Sequence, residues 1–345
     1  MPRPPARPEN RIMTVKYGVL SYGTVNIGDE IQSIAAMQFL PRVDAYINRE
    51  RLNTFRPASG DTYMMIMNGW HMHQPRNWPP SANIKPLLIS MHLTGVKSYD
   101  GIIPYERLLS GKNRAYFTQH APVGARDLET LGHLQRAGIP SYFSGCLSLT
   151  LHCPDVPRQH DLIVLNDVPS ETEQIVRRRS AKKIETVSQM TNERDRQKRF
   201  AMACKLLETY ARASLVVTSR LHCALPCLAF GTPVILITSA ADLTRFPGLA
   251  ELTEHYAADE FCTAFSSSMI DRPRPVSTEH HAMRDTLIRT VTEFIGEDFY
   301  RDRVFDYRRF DRDDQSADVD RNIGRGSAFA ALYRKILGRR RPGAV

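Results

Sequence analysis

Short, mostly apolar runs alternate along this chain with longer segments of helical period. Residues 15–21 read as a buried strand, and 28–40 as the helix after it, with Ile31, Ile34, Ala35 and Phe39 along one side. Residues 63–67 and 87–91 are two more strand-length apolar runs. Residues 128–137 have helical spacing and stop at Gly138, the residue type that ends helices in the left-handed conformation. Residues 140–143 begin another strand.

The second half keeps the same rhythm. Strands are expected at 161–165 and 183–187, a long helix at 195–213, and a strand at 214–218 that runs into a helix at 222–230. Gly231 closes that helix, Thr232-Pro233 turns, and 234–238 is the next strand. A further helix is expected at 279–295. Strands alternating with helices argue for an α/β fold with parallel sheets covered on both faces. Two such runs argue for two Rossmann-like domains with a cleft between them, and ligands then sit outside the carboxyl ends of the strands. The expected division is an N-terminal extension at 1–13, a first domain at 14–157, a second at 158–300 and a charged tail at 301–345.

Bulk properties fit that picture. A chain of 345 residues is too long for one ordinary α/β core and comfortable for two of roughly 150 residues each. With 42% hydrophobic and 24% charged residues, the composition is that of a globular protein. No run reaches the roughly 18 apolar residues of a membrane span. The Pro/Arg-rich N-terminus has no apolar core, so a secretory signal is not expected and a cytoplasmic location is. The six cysteines form no CxxC pair. Cys223 and Cys227, four apart on one helix face, read as buried thiols rather than metal ligands.

Charge changes the picture only at the end of the chain. The net charge is +9, yet from Arg301 onward twelve Lys/Arg stand against seven Asp/Glu, so more than half of the excess lies in the tail. The body is then only mildly basic, and no nucleic-acid motif is present. Alternating Asp and Arg to Arg325 reads as a solvated, poorly packed stretch. Residues 327–337 have an amphipathic pattern in Phe329, Leu332, Ile336 and Leu337, followed by Arg339-Arg340-Arg341. Two readings stand for this end: weak peripheral contact with an anionic membrane face, or a charged tail packed back on the body.

Five segments carry candidate chemistry. Gly23-Thr24-Val25-Asn26-Ile27-Gly28-Asp29-Glu30 follows a strand and opens a helix, where free N–H groups favour an anion; it is neither a Walker loop nor GxGxxG. The loop from Asn68 to Ser81 holds both tryptophans, Trp70 and Trp78, with His71 and His73. These rings suit stacking on a sugar or, equally, anchoring a core. Arg126, in Gly124-Ala125-Arg126-Asp127, stands at a loop-to-helix junction, either to fork onto an anion or to pair with Asp127 or Glu129. Ser219-Arg220-Leu221-His222 follows a strand that must be buried. Arg220 there suits a bidentate anion contact, or a buried carboxylate partner, and His222 suits proton transfer near neutral pH. Arg245 lies on the rim after the next strand.

The motifs Asn26-Ile27-Gly28-Asp29-Glu30, Gly124-Ala125-Arg126-Asp127 and, above all, Val217-Thr218-Ser219-Arg220-Leu221-His222, with Gly231-Thr232-Pro233-Val234 after it, resemble the polysaccharide pyruvyl transferase family. The resemblance implies a GT-B-like pair of domains, the first on the acceptor side and the second on the donor side. It implies phosphoenolpyruvate as donor and a saccharide, free or lipid-linked, as acceptor, in cell-surface or exopolysaccharide biosynthesis. Carried over by motif, Arg220 and His222, with Leu221 between them, would hold phosphoenolpyruvate and Arg126 would be a second cationic contact; Arg245, outside the motifs, is a further candidate contact to it from the rim. Asn26, Asn68, Trp70, His71 and Trp78 would face the acceptor. His222 and Asp29 are the proton-transfer candidates.

The chemistry suits these residue types. Protonation of the phosphoenolpyruvate methylene carbon makes an oxocarbenium-like centre, one acceptor hydroxyl adds, phosphate leaves, and a second hydroxyl closes the ketal. That sequence calls for one acid and one base, with no metal and no cofactor. Two other readings compete: a GT-B glycosyltransferase using a nucleotide sugar, which wants a ribose-reading carboxylate near 251–260, and a non-catalytic saccharide-binding relative.

Overall fold

The computed structural model describes residues 15–98, 101–239 and 246–311. Arg245, residues 1–13 and the amphipathic pattern at 327–337 lie outside the described residues.

The first half runs β1 (Lys16–Ser21), α1 (Gly28–Met37), β2 (Ala45–Asn48), β3 (Tyr63–Ile66), β4 (Gly69–His71), β5 (Ile84–Leu87), β6 (Met91–Leu93), α2 (Pro104–Leu108), α3 (Gly111–Gln119), β7 (Val123–Ala125), α4 (Leu128–Arg136) and β8 (Ser141–Phe143). The second half runs β9 (Gln159–Asn166), α5 (Ser170–Arg179), β10 (Lys183–Val187), α6 (Arg196–Arg212), β11 (Ala213–Thr218), α7 (Leu221–Phe230), β12 (Val234–Thr238) and β13 (Glu254–Ala257). Helices His281–Ile295 and Phe299–Asp302 come later. Three parallel sheets result, ordered β2-β1-β3-β5, β4-β6-β7-β8 and β10-β9-β11-β12-β13. This is a Rossmann-like α/β fold, as the alternation of elements implies.

The two sheets of the first half meet at a bend. Gly69 (φ 122°) follows β3, and Ser90 (φ 52°) stands between β5 and β6. Left-handed backbone cannot continue a strand. Hydrogen bonds from Met67 N to Leu87 O, Gly69 N to Ser90 O and Gly124 N to Leu88 O stitch the bend closed. The expected strand over 87–91 is therefore corrected: β5 ends where that run begins and β6 begins where it ends. Leu88 and Ile89 between them are buried, which is why the apolar pattern continues through the bend.

Helix α1 departs from the one-sided pattern, because every one of its residues is buried. One apolar cluster runs from Ile31, Ile34 and Ala35 of α1 to Leu207 of α6, Leu225 of α7 and the turn Leu147–Thr150. The polar residues of α1 have partners. Ser33 donates to Leu20 O, and Glu30 receives Arg199 of α6 on both oxygens, at 2.6 and 3.0 Å. The third guanidinium nitrogen of Arg199 donates to the carbonyls of Thr24 and Glu193. Both side chains of this pair are sealed from solvent. Burial raises the Glu30 carboxyl above its ordinary value, and the Arg199 guanidinium opposes that rise.

The start of the charged tail is not solvated as expected, and this too is a correction. Phe305, Tyr307 and Phe310 are buried. Phe310 stacks on Phe200 of α6 with centroids 5.0 Å apart, and Tyr307 donates to His152 O. Tyr300 stacks on Phe39 at 4.6 Å, and Arg303 donates to Pro41 O. The aromatics among the charges return the chain to the first half.

Removing one member of a buried ion pair leaves the other charge without compensation. Arg199→Ala should lower the unfolding free energy by about 3–5 kcal/mol. The double change Glu30→Leu/Arg199→Met should recover most of that loss. Denaturant titrations of the two variants check this, and a single variant as stable as the parent contradicts it.

Candidate active site

Strand β11 is apolar and almost wholly buried, and it delivers Ser219-Arg220 to its carboxyl end. Thr218 Oγ1 turns the chain there, accepting from Arg220 N at 3.0 Å and donating to Asn166 O at 3.1 Å. Arg220 occupies the N-cap position of α7. Its Nε donates to Asp167 Oδ2 at 2.9 Å, with 19% of the side chain exposed. Of the two readings open for Arg220, a carboxylate partner is thus present, and the guanidinium still reaches solvent.

Helices α1 and α7 start against each other. A Cβ at Gly28 would lie 3.4 Å from His222 Cβ and 2.7 Å from Gln189 Oε1, so only glycine lets the two helix starts come this close. Gln189 lies at the junction. Its Nε2 donates to His222 O at 3.0 Å and its carbonyl accepts from Ile27 N at 2.8 Å. Asn26 bridges to Met190 and accepts from Gly28 N through Oδ1. His222 is buried, with its backbone off the helical values at φ −79° and ψ 18°. Neither N-cap residue, Ile27 or Arg220, caps its helix with a side chain. Gly28 N and Asp29 N of α1 are already taken by Asn26, so it is the start of α7, at Arg220, that favours a bound anion.

A second polar cluster gathers in the first half. Asp29 is not the cap of α1 but lies in its first turn, accepting from Thr24 Oγ1 at 2.8 Å and facing Arg49 NH1 at 3.5 Å. Arg49, just after β2, is fully buried. It pairs with Glu50 at 2.9 Å and lies over the rings of Tyr22 and Trp70, 4.8 and 5.3 Å from their centroids. His71 faces the Gly69 carbonyl through Nδ1, so Nδ1 carries the proton and Nε2 is the acceptor. Burial, with Arg49 nearby, lowers the His71 pKa to about 3. Gln32 Oε1, Arg49 NH1 and His71 Nε2 are buried and have no hydrogen-bond partner among the described residues.

Arg126 is buried rather than on the surface, and its Nε lies 3.3 Å from Asp127 Oδ2. Asp127 caps α4 through Thr130 N and meets His92 Nδ1 at 2.6 Å. Burial alone would raise the Asp127 carboxyl, but His92 and Arg126 hold it well below the usual carboxylate range.

The structure thus brings Asn26 and His222 together around Gly28, with Arg220 at the head of the same helix as His222, while the Asp29 side chain turns to Thr24 and Arg49. Asn68 and His71 join Asp29 near α1, where Asn68 donates to Gln32 O. Trp70 is partly open beside Arg49. Trp78 is not on this surface. It is buried in the second apolar cluster, stacked on Phe117 at 5.1 Å. Leu221 is likewise packed in the core. Among the described residues no hydrogen bond or ion pair joins Arg126 to Arg220. Arg49, His92, Asp167 and Gln189 belong to these clusters and escaped the motif reading. Asp167 had a local signal, a charge just after an apolar strand, whereas Arg49 follows β2, a strand the hydrophobic pattern did not mark.

Parallel sheets with an anion-favouring helix start at the carboxyl end of one strand define a Rossmann-like α/β class. The model of the polysaccharide pyruvyl transferase family matches residues 101–240, so the resemblance seen in the motifs is shown over that span. The span contains Arg126, Arg220, Leu221 and His222, and it points to a transferase of polysaccharide biosynthesis. A search of curated proteins finds no match. No described helix is long and apolar enough to cross a membrane.

His71 sets a pH prediction. Its folded pKa lies below the unfolded value of about 6.5. Its contribution to stability is therefore present above that value and is lost as pH falls from there toward about 3. The slope approaches about 1.4 kcal/mol per pH unit. Urea midpoints between pH 7.5 and 5 should fall, and His71→Gln should flatten the fall. An unchanged slope in that variant contradicts the assignment.

Proposed function

We propose that this chain transfers the pyruvyl group of phosphoenolpyruvate to a pair of hydroxyls on a saccharide, forming a pyruvyl ketal. The observation that carries the reading is that the family span takes in the start of α7, at Arg220 and His222, against which α1 begins. The donor is a small polyanion. The terminal nitrogens of Arg220 and the positive end of α7 offer the charge it needs, and Arg126 is a further wall of the same cleft. His222 moves one proton, to the methylene carbon or from an acceptor hydroxyl. Asp29, held by Thr24 and Arg49, is the candidate for the other.

In this reading the halves at 14–157 and 158–300 act as the acceptor and donor lobes of a GT-B-like arrangement. The acceptor side is supported by the cluster around Arg49. Its three buried polar atoms without hydrogen-bond partners are one donor and two acceptors; a sugar hydroxyl meets one of each type, and Trp70 offers a ring beside them. Arg49 and Gln32 join Asn68, Trp70 and His71 there. Trp78 supports that surface from inside the core.

Phosphate release from phosphoenolpyruvate, measured against a panel of free and lipid-linked saccharides, tests the reading. The wild type should release phosphate with at least one acceptor. His222→Gln should lower the turnover by roughly 10²–10⁴-fold while the fold stays intact. Near-normal turnover in that variant removes His222 from the mechanism. Release of nucleoside diphosphate from a nucleotide sugar, with none of phosphate, would make the chain a glycosyltransferase instead.

A further inference from the structure

We infer that Asp167 is the positioning residue for Arg220, orienting its guanidinium for the anionic donor; this rests on the phosphoenolpyruvate reading of the site. Asp167 follows β9 directly, in left-handed backbone with φ 52°. Few residues other than glycine, aspartate and asparagine accept that conformation. Its side chain is pinned from the ends of the two neighbouring strands. Oδ1 accepts from Ser188 Oγ at 2.5 Å, after β10. Oδ2 accepts from Gln189 N at 2.9 Å and from Arg220 Nε at 2.9 Å, after β11. Its main-chain carbonyl accepts from Ser219 Oγ.

The contact with Arg220 differs in kind from the structural arginine pair. Arg199 gives two edges to Glu30 and backbone carbonyls and is 1% exposed. Arg220 gives only Nε to Asp167 and keeps 19% of its side chain exposed. The fork between its two terminal nitrogens is the edge that remains for a carboxylate or phosphate. A long side chain held at Nε has its fork set before the ligand arrives, so less rotamer freedom is lost on binding. Asp167 also stands close enough to repel an anion. Three donors on its two oxygens neutralise that charge, and only 12% of its side chain is exposed. Orientation therefore outweighs repulsion.

Calorimetric titration of the full chain with phosphoenolpyruvate tests this. Asp167→Asn keeps the shape and the left-handed backbone but removes the charge. It should weaken binding about tenfold, the loss of one charge-assisted contact, with the ligand-free thermal midpoint close to that of the parent. Arg220→Ala should abolish binding. Free guanidinium should restore it in Arg220→Ala and not in the double variant Arg220→Ala/Asp167→Asn, because Asp167 holds the ion in place even untethered. Unchanged or tighter binding in Asp167→Asn overturns the inference alone. So does an Arg220→Ala protein that guanidinium does not rescue, a result that stands even if Asp167→Asn fails to fold. A wild type that does not bind phosphoenolpyruvate overturns the donor reading and this inference with it.

Discussion

The buried pair of Glu30 and Arg199 is the constraint on which the rest of the structure depends. Helix α1 enters the core with four polar residues near its start, and none of them reaches water. That arrangement holds only because Arg199, from a helix 169 residues later, meets the Glu30 carboxylate on both oxygens. The same guanidinium closes on the carbonyls of Thr24 and Glu193, which fixes the loop before α1. Taking two charges from water is costly, and only this completeness offsets it. With the loop fixed, Ile27 and Asn26 meet Gln189 and Met190, and Gly28 is brought against His222. The helix start that favours an anion is therefore in place because of an ion pair that never touches one.

The arginines of this fold divide by how many of their edges the protein uses. Arg199 and Arg49 are enclosed, the first by a bidentate carboxylate and the second by two carboxylates and two aromatic faces. Arg220 is tied on one edge only. Arg199, with every nitrogen used, organises the protein, whereas Arg49 keeps NH1 without a hydrogen bond and Arg220 keeps its fork, so each has an edge left for a ligand. The distinction follows from the planar geometry of the group rather than from its charge, which is the same in all three.

Much of the fold was legible because the strands are apolar and bounded by turn residues. Lys183–Val187 and Val234–Thr238 are found where the pattern put them, and Asp195 caps its helix as its residue type suggests. The bend after β5 was not legible, since Leu88 and Ile89 stay buried through it and hydropathy does not register a left-handed residue. The packing of Phe305, Tyr307 and Phe310 was hidden among arginines and aspartates. In the site, Arg220 and His222 stood out as charge and imidazole directly after a buried strand. Asp167, also a charge just after an apolar strand, did not, because its meaning lies in a contact 53 residues away, after a different strand. Trp78 shows the opposite error of local reading. In a polar loop it resembles a binding ring, yet the fold stacks it on Phe117 in the interior.

The return of the chain end has a consequence for synthesis. Phe39 is covered by Tyr300, and the carbonyls of Pro41, Thr150 and His152 receive donors from Arg303, Tyr300 and Tyr307. A ribosome exposes the first half long before it makes that cover. An apolar edge therefore waits uncovered until residues 300–307 have been made, and the first half reaches its final packing only then. Order of emergence and order of completion run in opposite directions here, which makes the nascent first half a natural client for chaperones.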